Sequence, residues 1–432
     1  MIQLVVIISS LIFLISGCGG ENSVQSVIGD SQGGGVFFVD AQRSYNQSHM
    51  DGSRWVLGAG RFPQVPYVEV DLEGRPQWIV AAPTGLSSIW VVVLEDGSVQ
   101  GFRVKNGLWS SADVGLNKLN PLRPPVLEIK ESLRGNLLLP PDDCSLLSSP
   151  VVSKNGSMVY INSNGDLILI NDDSRSSLAI NALPDARILL DDDRSGVVYT
   201  GPTSRYPHGA LGDIFEPSGI AVFSIDDGLS MLSEFEFSAP WVGEGLAPLW
   251  FDWDGDRRRE IFTTLSGESN GSKVAVYSED GKLIAESEVT GSAFRWRHLL
   301  AFGPFSPTGS NELVCVRTPH TNGVVEFYER IEDKLVRVAE ISGYTSHLFN
   351  TRNTNLSIAG DLDGDGAMEV LLLHQDETRL TAIAHRFGGA TRLWQLVIGG
   401  KATSNLVAIM LADGSQMVGV GHDGNKLRIW GP

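Results

Sequence analysis

Cysteine is scarce: this 432-residue chain has three, at positions 18, 144 and 315. At most one intrachain disulfide can therefore form if Cys18 is used elsewhere. Cys315 sits in the apolar run Leu313-Val-Cys-Val and reads as a small buried hydrophobe, and whether it pairs with Cys144 is left open by the sequence. Basic residues are also short, with 33 Lys and Arg against 51 Asp and Glu, a net charge of −18. No local cluster of Lys or Arg offsets this, because the run Arg257 to Arg259 is embedded in an acidic loop. That excludes nucleic acid, whose phosphates demand a basic face, and suits divalent cations and solubility. Amphipathic helical periodicity is nearly absent, so the fold class is all-β. The metalloprotease H-E-x-x-H, C-x-x-C and P-loop patterns are missing too. Gly267-Glu-Ser269-Asn-Gly271 matches the nucleophile elbow in letters only, since a strand pattern follows where a helix is required. The eight histidines are scattered, each reading as a surface or hydrogen-bonded residue, so no catalytic group is expected.

The one long apolar run is at the N-terminus. Leu4 to Ile15 forms an export-signal core too short to cross a bilayer interior of about 30 Å, and Ile15-Ser16-Gly17-Cys18 resembles a bacterial lipobox. The reading is a signal peptide over 1–17, lipidation of Cys18, a flexible Gly/Ser-rich tether over 18–35, and one domain over 36–432. Such a chain is held at a membrane of the bacterial cell envelope, extracytoplasmic, without spanning it.

What is abundant is oxygen at regular spacing. Asp361-Leu-Asp363-Gly-Asp365-Gly366-Ala367-Met-Glu369 runs directly into the apolar strand Val370-Leu-Leu-Leu. Calcium takes six to eight oxygens, and alternating carboxylates converge on one ion only if the chain turns sharply. Asp361, Asp363 and Asp365 supply the side chains, Gly366 the bend, the Ala367 carbonyl a backbone ligand, and Glu369 closes the shell. An EF-hand closes at its twelfth position between helices, whereas this frame closes at the ninth between strands. A second copy places Asp252, Asp254, Asp256 and Glu260 at the same spacing, with the carbonyl of Arg258 in the backbone slot. There Arg257 replaces the glycine, at a cost of about 1 kcal/mol if the position needs positive φ. A third copy, Gly303 to Glu312, keeps the frame but has Pro304, Ser306 and Thr308 where the aspartates stand, so it is structural. Asp191 to Asp193 is consecutive rather than alternating and reads as a hairpin turn.

Around these loops a plainer unit repeats: strand, turn, strand, Asp-Gly or Asn-Gly turn, strand. Its first turn can be followed at Asp71–Gly74, Asn155-Gly156, Asp191, Asp252, Pro304, Asp361 and Asp413-Gly414. Most starts lie about 40 to 60 residues apart, a period that fits four-stranded propeller blades. The count gives seven blades. The wide gap after Asp71 is read as a proline-rich insertion at about 117–145, with an eighth blade as the alternative. The last unit has room for three strands, and Val36-Phe-Phe-Val39 is expected to add the fourth and close the ring. The ten tryptophans read chiefly as packing between blades, with Trp253 the best candidate for an exposed binding residue.

With these residues in view, the chain resembles the FG-GAP/VCBS-repeat proteins, β-propellers related in architecture to the integrin α head and carrying D-x-D-x-D-G-x-x-[DE] calcium loops. The resemblance is strong over Ile358 to Leu373, fair over Pro248 to Leu265 and degenerate elsewhere. It implies Ca2+ at Asp361, Asp363, Asp365, Ala367 and Glu369, and at Asp252, Asp254, Asp256, Arg258 and Glu260. The expected function is a non-enzymatic platform for another protein or a glycan. The rivals are a calcium-dependent polysaccharide lyase-like enzyme and an envelope assembly scaffold.

Overall fold

Strand after strand follows from short apolar or β-branched runs cut by Gly, Asp and Asn turns, and the computed structural model contains no helix among its described residues, 43–45, 55–129, 134–172, 174–191 and 194–431. Ser88–Leu94, with sequence SIWVVVL, is buried at every position, whereas Ser230–Glu236 alternates exposed and half-buried residues. A strand covered on both faces reads as a continuous apolar run, and one at a sheet's outer edge alternates. The signal segment, Cys18, the tether and Val36–Val39 lie outside the described residues.

The strands form antiparallel up-and-down units in chain order. The first is Pro76–Pro83, Ser88–Leu94, Val99–Lys105 and Leu108–Ser111. The third spans Val151 to Ala179 and the fourth Leu189 to Glu236, each with four strands. The fifth, Leu249 to Ser287, and the sixth, Arg297 to Ser342, are joined by a short parallel pairing of Glu286 and Ser287 with Lys334 and Leu335. The seventh runs from Ser357 to Val397.

Two units use strands from distant sequence. In the second, Leu127–Ile129 and Gly135–Leu137 pair with each other, and Arg43–Tyr45 adds the third strand. The segment expected as an insertion thus holds a small sheet, with Pro121, Pro124, Pro125, Pro140 and Pro141 flanking its strands, where the missing N–H costs no ladder bond. The eighth contains Ala402–Met410, Gln416–His422 and Lys426–Trp430, completed by Tyr67–Asp71 in the register Tyr67↔Trp430 to Asp71↔Lys426. The N-terminal closing strand among the described residues is therefore Tyr67–Asp71. The turn at Asp71–Gly74 does not begin a hairpin; it leads from this strand into the inner strand of the first unit. Its composition suits a hairpin, but the partner of Tyr67–Asp71 lies some 360 residues away.

Most consecutive units share their cores. One cluster joins the third, fourth and fifth units through Val159, Val197, Ile220 and Trp250. Others join the fifth to the sixth, the sixth to the seventh, the seventh to the eighth, the eighth to the first and the first to the second. Trp90 and Trp250 are fully buried in these seams, as large aromatics filling them should be; Trp78 and Trp296 are fully buried elsewhere. Cys144 and Cys315 are both buried and form no disulfide.

Candidate metal centre

The loop at Asp361 is held between Ser357–Asp361 and Glu369–His374, which pair so that Gly360 faces Glu369. Its aspartates organise their own turn: Asp361 Oδ1 accepts from the Gly364 N–H at 2.9 Å, Asp363 Oδ1 from Asp365 at 3.1 Å, and Asp365 Oδ1 from Ala367 at 2.8 Å. Gly366 has φ of +87°. One oxygen from each of Asp361, Asp363 and Asp365 lies within 4.8 Å of the others. Glu369 is buried; its Oε2 accepts from the Leu362 N–H at 2.9 Å, while its Oε1 accepts no hydrogen bond. Burial raises the Glu369 carboxyl to about 8; the Leu362 N–H opposes this rise and the nearby aspartates add to it. Burial also raises Asp361. A buried carboxylate oxygen without a donor, beside three converging carboxylates, is what a hard cation would satisfy.

The loop at Asp252 has the same internal bonds. Asp252 Oδ1 accepts from Gly255 at 2.7 Å, Asp254 Oδ1 from Asp256 at 3.2 Å, Asp256 Oδ1 from Arg258 at 2.7 Å, and Glu260 Oε2 from Trp253 at 2.7 Å. Its aspartate oxygens also converge within 4.8 Å. Arg257 adopts φ of +71°, so the position does require the left-handed conformation, with arginine carrying the strain that Gly366 avoids. Arg259 turns aside to Asp191 at 3.3 Å and lies over the Trp250 ring. Glu260 is raised to about 6, again chiefly by burial.

Trp253 is not a free binding surface. Its ring packs on Phe262 and Phe302 and is covered by the Arg330 guanidinium 5.0 Å from the ring centre. In the third loop Ser306 and Thr308 bond to each other at 2.9 Å, and buried Glu312 meets His385 Nδ1 at 2.9 and 3.0 Å. In this loop the glutamate is therefore partnered by an imidazole from the seventh unit. The segment Gly267–Gly271 is a hairpin between two strands, not an elbow.

A second polar cluster lies at the opposite end of the strands and was not read from the sequence. The strand Glu260–Gly267 carries Glu260 at one end and Ser266 at the other, about 20 Å away at the usual rise per residue. Ser266 bonds to buried Glu244, whose other oxygen meets His208 Nδ1. His208 stacks on Phe294, while Trp296 is in ring contact with His298, His320 and His347. His347 Nε2 lies 2.9 Å from the Thr351 carbonyl, so it donates there, and its Nδ1 accepts from His320 Nε2 at 2.8 Å. Burial pushes His320 down to about 4 and His347 to about 3, which keeps both neutral near pH 7. Arg352 bridges Asp185 and Asp213, and buried Glu216 is raised by burial and by Glu244. Four of the eight histidines thus gather from positions far apart in sequence, a convergence with no local signal.

No family model matches this chain, and no curated protein matches it. Among the solved structures that align over most of its length is one described as the mitotic checkpoint complex, with TM-score 0.41 and 12% identity over 87% of this chain and 98% of that one. Another, BBS1N in complex with ARL6DN, has TM-score 0.41 and 10% identity over 88% of this chain and 97% of that one.

Proposed function

We propose that this chain is a calcium-binding β-propeller of the FG-GAP/VCBS type, tethered through Cys18 to a bacterial envelope membrane, that serves as a rigid platform for a protein or glycan. The observation that carries the reading is the Asp361 loop: three carboxylates converge beside Glu369, whose buried Oε1 accepts no hydrogen bond and has the Arg386 guanidinium 3.6 Å away. The eight antiparallel units, most with seams shared between neighbours and a last unit completed by Tyr67–Asp71, support eight blades rather than the seven counted from turns. Ile214, Phe215 and Phe349, each about half exposed, mark the long loops at the end away from the acidic loops as the platform's contact face. Calorimetric titration with Ca2+ tests the metal; a flat titration refutes it. Cys18→Ser should move the protein from the membrane to the soluble fraction.

A second reading is favoured by one observation, the His208–Glu244 pair with its surrounding acids and arginines. A buried carboxylate that fixes a histidine tautomer is the arrangement of a general base and its orienting group. On this reading the chain is a polysaccharide lyase-like enzyme. Release of unsaturated product from an acidic polysaccharide, abolished by His208→Ala, would establish it; absence of turnover leaves the platform reading standing.

A further inference from the structure

We infer that the Asp361 loop is a latch for the N-terminal segment Trp55–Phe62, so that Ca2+ regulates how firmly that segment is seated; this rests on the calcium reading above. Trp55–Ala59 runs parallel to Ser357–Asp361, the strand that enters the loop. Beyond it the Gly60 N–H donates to the carbonyl of Asp361 at 2.8 Å and the Phe62 N–H to that of Leu362 at 3.0 Å. The first two residues of the loop therefore hold the segment by their main chain while Asp361 directs its side chain into the carboxylate cluster.

The side chains make a second link. Phe62 stacks on Trp394 with ring centres 5.9 Å apart, and the Trp394 indole N–H donates to Asp363 Oδ2 at 3.2 Å. The fit is close: a Cβ added at Gly60 would stand 1.9 Å from the Leu362 carbonyl oxygen, and one at Gly364 would stand 2.7 Å from that of Gly60. No comparable strap lies on the Asp252 loop among the described residues. The segment continues into Tyr67–Asp71, which completes the eighth unit, so the latch lies at the chain's own closure. Without a cation, mutual repulsion among the three converging aspartates favours a looser loop, and both carbonyls move with it. With Ca2+ the loop has one geometry, and the two amide bonds persist.

Hydrogen exchange of the full chain tests this, with Ca2+ affinity measured in parallel by calorimetry. Ca2+ should slow exchange across residues 55–66 about tenfold in the wild type and in Asp254→Ala, and leave it unchanged in Asp363→Ala. Trp394→Phe, which keeps every ion ligand, should bind Ca2+ but show a smaller slowing. If Ca2+ binds and protects the loop itself while residues 55–66 exchange as before, the latch is overturned and the calcium reading survives. If calorimetry shows no binding, both fall together.

Discussion

Arg386 places its guanidinium 2.8 Å from Asp365 Oδ2 and 3.6 Å from Glu369 Oε1, on the two acids at the far end of the loop. A cation entering the loop must share these oxygens with it. Because Asp365 is half exposed, the pair is screened and worth about 0.5–1 kcal/mol. Arg386→Ala should therefore tighten Ca2+ binding about two- to fivefold, measured by calorimetry. Weaker binding would mean that the arginine orders the loop more than it competes.

The two acidic loops should not contribute equally. At a Ca2+ concentration a hundredfold above Kd, one site adds about 2.7 kcal/mol of stability, which amounts to a few degrees in a chain of this size. Asp363→Ala should remove more of the chelator-sensitive rise in Tm than Asp254→Ala, because Arg257 carries backbone strain at +71° and crowds the second loop with charge. The reverse order would show that the strain is relieved by the ion.

What the sequence made legible was local. The alternating aspartates, the positive φ required after Asp256 and Asp365, and the absence of helix among the described residues all follow from spacing and residue type within a few positions. The packing role of Trp253 was not readable, because Phe302 and Arg330 reach it from the next unit. The small second sheet was hidden because two of its strands have three residues each and the third comes from Arg43–Tyr45. That Tyr67–Asp71 completes the last unit was not readable for a related reason: several apolar N-terminal runs could fill one edge, and only register against Lys426–Trp430 selects this one. The histidine cluster depends entirely on which loops meet.

Protons should compete with calcium. The Glu369 carboxyl is raised by burial to about 8 from an ordinary value near 4.5, so between these values the ion-free folded chain holds a proton that the unfolded chain has released. Raising the pH through this window therefore destabilises the ion-free protein, and Ca2+ reverses the effect by replacing the proton. Apparent Ca2+ affinity should rise close to tenfold between pH 6 and pH 7, and the gain in Tm should be larger at pH 8 than at pH 6. A pH-independent affinity would exclude Glu369 from the ligand shell.

Away from the loops, Glu326 provides a sharper test of the fold's electrostatics. It is completely buried, accepts from Arg317 at 2.7 Å and Arg337 at 3.0 Å on one oxygen, and meets Arg297 at 3.2 Å and Tyr328 at 3.0 Å on the other. Burial alone would raise its carboxyl, but the three arginines outweigh it and hold the group below its ordinary value. Arg297 is itself 1% exposed, so Glu326→Gln would leave a buried guanidinium without its counter-charge, at a cost of about 3–5 kcal/mol. The exposed pair Asp71–Lys426 is the control, and Asp71→Asn should leave stability essentially unchanged because solvent screens the pair. Because the folded value of Glu326 is depressed, its contribution is complete above the ordinary glutamate range and is lost as pH falls through the folded value. Urea unfolding of wild type and Glu326→Gln should therefore differ most at neutral pH and converge in acid. Equal stabilities at pH 7 would mean that Arg297 is held by its bonds to Ser272 and Thr290 alone.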